Sequence, residues 1–213
     1  MTHYSTSSKS YQTSLKSDLL PAQHVQHITQ VMIGANFPYY FGANIHNGSL
    51  TDRYDTMLST SGFSHRFYDN NQQHSDGLNL VMPYLWALLE RCGYTLKELY
   101  RVRAFMSLPS TEQHNGFPHV DIPNFCADGF KYKTAIVYVL GTDGETVFYK
   151  DRFNGEAIPD VSTMTESHRI TPIPNSGIVF DGDIYHTALL PQKSKVRLVL
   201  NFNFTVQEDA ATT

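Results

Sequence analysis

The last strand-like segment of the chain reads VRLVLNFNFTV, from Val196 to Val206. Successive side chains of a β-strand point to opposite faces, so this segment has one apolar face and one mixed face. An exposed polar face would explain the alternation, but the polar members here are one arginine and two asparagines. We therefore favour a mixed face that lines a cavity over one that meets solvent. The apolar face carries Leu198, Leu200, Phe202 and Phe204, and the mixed face carries Arg197, Val199, Asn201 and Asn203.

Short strand-like segments of the same kind fill the second half of the chain. Turn residues such as those at 141–144 and 181–183 separate them, and no helical periodicity lies between them. Many short strands with frequent turns indicate a β-sandwich or barrel. The predicted strands cover residues 102–108, 135–140, 146–150, 177–180, 185–190 and 196–206.

The first half of the chain reads as helical or irregular. Apolar residues at helical spacing predict one helix that ends at Gly34 and a second over residues 78–92. An aromatic run at residues 37–41 favours a strand that extends the sheet, and residues 95–98 match a capping box for one further helical turn. The expected fold is therefore mainly β, with supporting helices packed outside one sheet.

The length of the chain, 213 residues, suits a single domain. Within that domain we expect a flexible N-terminus at residues 1–18 and helical or irregular support at residues 19–99. The β core is expected at residues 100–206, and a short tail at residues 207–213.

Composition excludes several classes of function. The net charge of −4 gives no basic footprint for nucleic acid, and no run approaches the ~20 apolar residues of a membrane span. With only Cys92 and Cys126, a disulfide framework is not expected. No secretory signal is visible at the N-terminus. These features predict a cytoplasmic protein, and they leave its oligomeric state open.

Three segments of the chain together predict a metal site. In an extended strand His119 and Asp121 point to the same face, so both can hold one ion. His186, from a distant strand, would complete a set of two histidines and one carboxylate that leaves half of an iron(II) coordination sphere open. Arg197 could then hold a carboxylate with two parallel hydrogen bonds. Metal, open positions and a carboxylate clamp predict an oxygenase.

Two other histidines compete for a place in this site. A second His-x-Asp occurs at His74-Ser75-Asp76, but it lies in a polar stretch before a helix, where Ser75 or Asp76 fits the role of helix N-cap. His168 has a tolerable spacing from Asp121 and is an alternative distal ligand, although its surroundings read as a polar loop. His186 follows an apolar strand and a tight turn, so we favour it.

The motifs of the second half resemble the iron(II)- and 2-oxoglutarate-dependent dioxygenases. The likeness is strongest to the prolyl-4-hydroxylase-like branch, including versions from phages and bacteria, and it covers roughly residues 101–205. It implies a double-stranded β-helix core, the jelly-roll that cupins share. The motifs in chain order are His119-Val120-Asp121, residues 134–140, Asp143-Gly144-Glu145-Thr146, residues 174–180, His186 and Arg197.

The resemblance assigns a role to each candidate residue. It implies that His119, Asp121 and His186 bind Fe(II), that Arg197 pairs with the distal carboxylate of 2-oxoglutarate, and that Tyr138 donates a hydrogen bond to the same group. A packed core tyrosine is the alternative for Tyr138. Dioxygen would be the second co-substrate and ascorbate a reductant. The products would be succinate, carbon dioxide and a hydroxylated C–H position.

The resemblance also narrows the substrate. Related halogenases lack the carboxylate present here as Asp121, which disfavours halogenation. Nucleic-acid dealkylases carry a second arginine six residues after the first, where this chain has Asn203, so no nucleic-acid partner is expected. A peptidyl proline is the first substrate hypothesis by analogy with the branch, with another protein side chain or a small molecule as alternatives. If the chain is encoded by a phage, the host cytoplasm is the expected location.

Two rival functions share the same expected fold. One is a cupin-like metal-binding or sensing module without turnover, and the other is a structural jelly-roll in which the metal residues coincide by chance. Two segments without clear elements, residues 122–131 and 151–169, are expected to act as lids over the site.

Overall fold

A computed structural model describes residues 14–42, 61–111, 116–155 and 160–207 of the chain. Ten β-strands dominate it, and three α-helices support them. The α-helices are α1 (Ala22–Ile33), α2 (Leu78–Cys92) and α3 (Pro123–Ala127), and a 3-10 helix spans Val161–Thr163. Among these described residues, no helix has both the length and the apolar character needed to span a membrane.

The strands form two antiparallel sheets. A seven-stranded sheet has the order β1-β2-β4-β10-β5-β8, with β3 paired to β2, and a three-stranded sheet has the order β7-β6-β9. In chain order the strands are β1 (Tyr40–Gly42), β2 (Gly62–Asp69), β3 (Gln72–Gln73), β4 (Leu96–Ser107), β5 (Lys133–Tyr138), β6 (Thr146–Arg152), β7 (Glu166–Ile170), β8 (Ser176–Asp181), β9 (Ile184–Ala188) and β10 (Arg197–Val206).

The last strand, β10, lies in the middle of the large sheet, between β4 and β5. Its register places Asn201 opposite Arg103 on one side and opposite Ile136 on the other. Side chains in register across neighbouring strands share a face of the sheet. Each row across the sheet therefore combines residues that are far apart in the sequence.

The two faces of the large sheet pack against different layers. On the outer face, Phe202 and Phe204 join the apolar residues of α1 and α2 in the main hydrophobic core. On the inner face, Ile136 and Val199 meet Phe148 of the small sheet in a second, smaller cluster. The result is the expected architecture, mainly β with supporting helices, in which the two sheets face each other as a jelly-roll.

Most strand and helix predictions are confirmed. Helix α2 has the predicted bounds, and α1 ends at Ile33, with Gly34 as its C-cap. The alternation predicted for β10 is confirmed, because its apolar members lie in the core and its other members lie on the inner face. The division of the chain at residue 100 stays a prediction, and residues 1–13 and 208–213 of its expected flexible ends lie outside the described part of the chain.

The expected irregular support at residues 19–99 contains a strand of the main sheet. Strand β2, which was not predicted from the sequence, pairs with β4, and a hairpin leads from it into β3. The hairpin turns at Asn70 and Asn71, which both have positive φ, at 50° and 60°. Asparagine tolerates that backbone region better than most residues, so the polar stretch after residue 69 is a hairpin turn and not a featureless loop.

The helical turn predicted at residues 95–98 is wrong. Helix α2 ends at Gly93, whose φ of 70° only glycine adopts at low cost. The chain then enters β4 at Leu96, where it pairs with Val206 of β10. Pairing with the long central strand outweighs the local capping signal.

Candidate metal centre

The two histidines of the predicted site are joined through their backbones. His119 and His186 form an isolated antiparallel bridge, in which each backbone N–H donates to the other carbonyl at 3.0 Å. His186 lies on β9, and His119 stands alone as a bridge residue and not in the longer strand that we expected. The bridge adds His119 to the edge of the small sheet.

The structure brings all three predicted ligands together. Asp121 Oδ1 lies 3.9 Å from His119 Nε2 and 4.0 Å from His186 Nε2. One potential ligand atom from each of the three residues lies within 4.8 Å of the other two. Both histidines are buried, with 6% and 3% of their residue surface exposed. The metal-binding role of the three residues stays a prediction, but their potential ligand atoms lie close enough together to contact one ion.

Backbone carbonyls orient both imidazole rings. His119 Nδ1 lies 3.0 Å from the carbonyl oxygen of Phe117, and His186 Nδ1 lies 3.1 Å from that of Ile184. A carbonyl oxygen accepts only, so each Nδ1 must carry the proton and donate it. Each neutral ring therefore has its lone pair on Nε2, the atom that faces Asp121. This is the usual way in which proteins fix the tautomer of a metal-binding histidine.

The two oxygens of Asp121 have different surroundings. Oδ2 accepts three hydrogen bonds, from the side-chain amides of Asn203 at 2.8 Å and Asn201 at 3.0 Å and from the hydroxyl of Thr134 at 3.0 Å. Oδ1 faces the two imidazoles. The donors come from β10 and β5, so the large sheet holds the carboxylate while the small sheet holds the histidines.

Arg101 supports Asp121 from strand β4. Its Nη2 donates to the backbone oxygen of Asp121 at 2.9 Å and lies 3.6 Å from Oδ1. Its Nε donates to the side-chain oxygen of Asn203 at 2.8 Å. Arg101 and Asn203 thus brace each other as well as the carboxylate.

The protonation states of the three side chains suit a divalent metal. Burial lowers the pKa of His119 to about 4, with a further contribution from His186. Burial also lowers the pKa of His186, although Asp121 opposes the change. For Asp121 burial would raise the pKa, but His186, Arg101 and His119 hold it well below its usual range. Neutral imidazoles and an ionised carboxylate are the forms that bind metals.

A cavity of about 220 Å³ lies between the two sheets, over these three side chains. The guanidinium of Arg197 is part of its wall, and only 3% of the Arg197 surface is exposed. Arg197 Nε donates to the Gly144 carbonyl at 2.9 Å, and Nη2 donates to Thr146 Oγ1 at 2.9 Å. Within the described ranges, no carboxylate lies within ion-pair distance of Arg197. Burial without an anionic partner also lowers its pKa.

Tyr138 is not part of the cavity wall that the described residues form. Its hydroxyl donates to Thr146 Oγ1 at 2.8 Å, and its side chain is fully buried. Burial raises its pKa to about 12, so the hydroxyl keeps its proton. Thr146 therefore links Tyr138 to Arg197, and the direct contact of Tyr138 with a co-substrate stays a prediction.

The competing histidines lie away from the cluster. His168 belongs to β7, not to the polar loop that we expected, and its ring stacks on Phe148 with centroids 4.8 Å apart. His74 lies between β3 and α2, and the N-cap of α2 is Gly77 and neither Ser75 nor Asp76. A Cβ at position 77 would come within 3.1 Å of a ring carbon of Phe67, which favours glycine there.

The segments expected to act as lids contribute no residue to the described cavity wall. Residues 122–131 contain α3, and residues 151–169 contain the end of β6, the 3-10 helix and most of β7, with 156–159 outside the described ranges. Their closure over a ligand stays a prediction. Strands β1 and β2 do contribute to the wall, through Gly42, Ser64 and Arg66.

Several residues that complete the site were not predicted from the sequence. Thr134 and Thr146 gave no signal, because their roles depend on the register between strands. Arg101 and Arg103 could have been predicted, because they alternate with Val102 and Ala104 in the same way as the polar and apolar residues of β10 alternate. Such alternation predicts that both arginines share the inner face with the metal cluster.

Comparison with known proteins identifies the fold. No protein-family model and no curated protein matches the sequence. The solved structure of the non-heme alpha-ketoglutarate-dependent epimerase SnoN from nogalamycin biosynthesis matches with a TM-score of 0.60 at 12% identity, over 91% of this chain and 77% of that one. A 2OG-Fe(II) oxygenase family oxidoreductase from Burkholderia pseudomallei matches with a TM-score of 0.57 at 16% identity, over 91% and 84% of the two chains. The fold is that of the 2-oxoglutarate and iron(II) oxygenases.

A prolyl hydroxylase has the same fold. The enzyme from Trichoplax adhaerens, solved in complex with a peptide fragment of hypoxia inducible factor, matches with a TM-score of 0.54 at 13% identity, over 90% of this chain and 83% of that one. The double-stranded β-helix that the family resemblance implied is thereby confirmed.

Proposed function

We propose that this protein is an Fe(II)- and 2-oxoglutarate-dependent oxygenase that hydroxylates an unactivated C–H bond. One observation carries the proposal: Arg197 is buried without a described carboxylate partner, in the wall of the cavity that His119, Asp121 and His186 also line. An unpaired buried charge is costly, so a ligand with a carboxylate is the expected partner. In a jelly-roll that binds only a metal, this buried arginine would have no anionic ligand to bind.

The donor set fits iron(II). Two imidazole nitrogens and one carboxylate oxygen within 4.8 Å of one another form the arrangement typical of non-heme iron oxygenases. The carbonyls of Phe117 and Ile184 fix both tautomers before a metal binds, which raises the basicity of the ligating nitrogens. When bound, iron would supply oxygen activation coupled to the conversion of 2-oxoglutarate to succinate and carbon dioxide.

The protein's own residues would orient the co-substrate and exclude water. Arg197 would hold the distal carboxylate of 2-oxoglutarate with the guanidinium N–H groups that Gly144 and Thr146 do not use. Thr146 Oγ1 accepts from both Arg197 and Tyr138, so its own proton is available to the same carboxylate. Tyr138 would act as a positioning residue, through Thr146.

The substrate is proposed by analogy. A peptidyl proline remains the first hypothesis, since a prolyl hydroxylase that binds a peptide fragment shares the fold, and a small molecule is the alternative. Ascorbate would serve as a reductant, and the cytoplasm would be the location. All of these depend on the branch of the superfamily and are proposals about this chain.

Succinate release tests the proposal directly. Metal-free protein would be loaded anaerobically with Fe(II) and 2-oxoglutarate, exposed to oxygen, and assayed for succinate by mass spectrometry. We expect slow release by the parent protein and none by His119→Ala. Arg169→Gln is the matched control, because Arg169 is a surface arginine that pairs with Glu166 at 2.8 Å.

Binding measurements separate the rival functions. Calorimetry on the same samples would show whether metal and 2-oxoglutarate bind at all. Binding of both without succinate would favour the non-catalytic metal-binding module. Failure of the parent protein to bind metal would contradict the proposal and favour the structural jelly-roll.

A further inference from the structure

The cavity wall contains more positive charge than iron and 2-oxoglutarate require. Four arginines line it, and Asp121 is the only carboxylate among the described lining residues. Two of the four have roles already: Arg197 faces the proposed co-substrate, and Arg101 braces Asp121 and Asn203. The remaining two, Arg66 and Arg103, have no role in the proposed chemistry.

Arg66 and Arg103 lie directly opposite each other on β2 and β4. They are register partners, and Arg103 is in turn the partner of Asn201, which donates to Asp121. Adjacent strands are ~4.8 Å apart, so Arg103 lies one strand and Arg66 two strands away from Asn201. Like charges directly opposite each other in a sheet destabilise it, so an anion that contacts both guanidinium groups would stabilise the pair.

Asp69 supplies only part of that compensation. Its Oδ2 accepts from Arg103 Nη2 at 2.9 Å and lies 3.5 Å from Arg66 Nε. One carboxylate thus serves two guanidinium groups. Arg103 Nε is buried and has no acceptor among the described residues. Burial and the nearby charge of Arg101 lower the pKa of Arg103, and Asp69 only partly opposes this change.

This pair is separate from the Arg197 site. Arg197 donates to Gly144 and Thr146, which follow β5 and begin β6. Arg103 and Arg66 belong to β4 and β2, on the opposite side of β10. Both sites line the one cavity, together with the metal cluster and Asn201. Two anions could therefore bind at once without competing for the same donors.

We propose that Arg66 and Arg103 bind an anionic group of the substrate, an oxyanion such as a carboxylate, sulfate or phosphate. The inference rests on the proposed function and deepens it, because it defines the substrate as an anion held beside the metal. A guanidinium pair binds the oxygens of such a group with charge-assisted hydrogen bonds. A neutral prolyl peptide without an acidic group would leave the pair uncompensated.

Sulfate and acetate serve as probes of this site. Protein loaded with Mn(II) and saturated with 2-oxoglutarate under anaerobic conditions would be titrated with each anion by calorimetry, at constant ionic strength maintained with chloride. We expect saturable binding of at least one anion. Arg103→Gln and Arg66→Gln should each weaken it by about ten-fold or more. The Arg66 side chain is 55% exposed, so its variant should fold even if the Arg103 variant does not.

Two further variants sharpen the experiment. Asp69→Asn removes the internal competitor for the pair, so it should tighten sulfate binding. Arg169→Gln is the control for the two arginine variants, because it removes the same positive charge from a surface arginine. It should leave sulfate affinity unchanged. If neither anion binds saturably, or if binding is indifferent to both Arg66→Gln and Arg103→Gln, the proposal is overturned.

The outcome also distinguishes this inference from the proposed function. If the parent protein does not bind 2-oxoglutarate but binds sulfate in a way that depends on Arg66 and Arg103, the oxygenase proposal is refuted and the anion site is supported. If it binds 2-oxoglutarate but no second anion, the anion site is refuted and the oxygenase proposal is unaffected.

Discussion

The two faces of β10 differ in whether their side chains have partners within the protein. On the outer face, Phe202 and Phe204 are completely buried in the core and are packed against the two long helices. On the inner face, Arg197 has no described carboxylate partner, and Asn201 Oδ1 has no described hydrogen-bond partner. Folding alone satisfies the side chains of the outer face, whereas polar groups on the inner face can still bind a ligand.

This difference separates stability from binding along a single strand. Residues that alternate by one position should affect different measurements, because their side chains lie in different layers. Substitutions on the outer face should lower the free energy of unfolding, and those on the inner face should lower ligand affinity.

The largest effect is expected on the outer face, from Phe202→Ala. Its ring is fully buried, and a large-to-small change at such a site costs ~3–5 kcal/mol of unfolding free energy. Chemical denaturation of the metal-free protein would measure it. Metal affinity of the molecules that remain folded should be nearly unchanged. A large loss of metal affinity under native conditions would contradict the idea that the outer face affects stability alone.

Arg197→Leu is the counterpart on the inner face. Loss of one partner of a desolvated ion pair costs ~3–5 kcal/mol, which weakens 2-oxoglutarate binding by roughly two to three and a half decades. Iron binding should stay nearly intact. The unfolding free energy of the ligand-free protein should not fall, because an uncompensated charge is removed. Arg197→Lys should restore only part of the affinity, since an ammonium cannot reproduce the fork. Parent-like 2-oxoglutarate affinity in Arg197→Leu would rule out Arg197 as the anchor.

Thr146→Val should have a smaller effect in the same direction. The substitution removes the oxygen that accepts from Tyr138 and from Arg197. Two donors then lose their partner, at ~1–3 kcal/mol for each buried group left unsatisfied. We expect 2-oxoglutarate affinity to fall by about ten-fold, measured by calorimetry on the Mn(II)-loaded protein. Thr146→Ser keeps the hydroxyl and should stay close to the parent, and equal losses in both variants would exclude the hydrogen bonds as the cause.

Asn201→Ala should have the smallest effect. It removes one of the three donors to Asp121 Oδ2, and loss of an outer-shell partner typically weakens metal binding by ~10–100-fold. The lower end is expected because Asn203 and Thr134 remain. Stability should change by less than about 1 kcal/mol, since the Asn201 oxygen is itself unsatisfied. Competition with a chromogenic chelator would measure the metal affinity, and an unchanged value would show that two donors suffice.

The sequence predicted the features that a single segment encodes. The alternation of β10 and the bounds of α2 follow from local periodicity, and the structure agrees. His119 and Asp121 do lie together, although not in the strand that we expected. Strand β2 was missed because Ser64, His65 and Arg66 interrupt any clean apolar alternation. The helical turn at residues 95–98 failed because a local capping signal is weaker than pairing with a ten-residue strand.

The rest of the site depends on register, which a single sequence does not reveal. Thr134 and Asn201 both donate to Asp121, yet they come from different strands whose alignment is set by the whole sheet. Likewise, nothing local places Arg66 opposite Arg103. The three candidate metal ligands could be predicted because their residue types are distinctive. The residues that contact them are common amino acid types, whose positions depend on the strand register.

The unequal surroundings of the Asp121 oxygens have a consequence for the denticity of this ligand. Oδ2 already accepts three hydrogen bonds, which exceeds the two lone pairs that a carboxylate oxygen offers. Chelation through both oxygens would require breaking these bonds, so Asp121 should act as a monodentate ligand through Oδ1. A second bond from the same carboxylate would occupy a vertex that dioxygen or a co-substrate needs. With a metal bound at Asp121, the asparagines of β10 would therefore help to leave coordination positions open for exchangeable ligands.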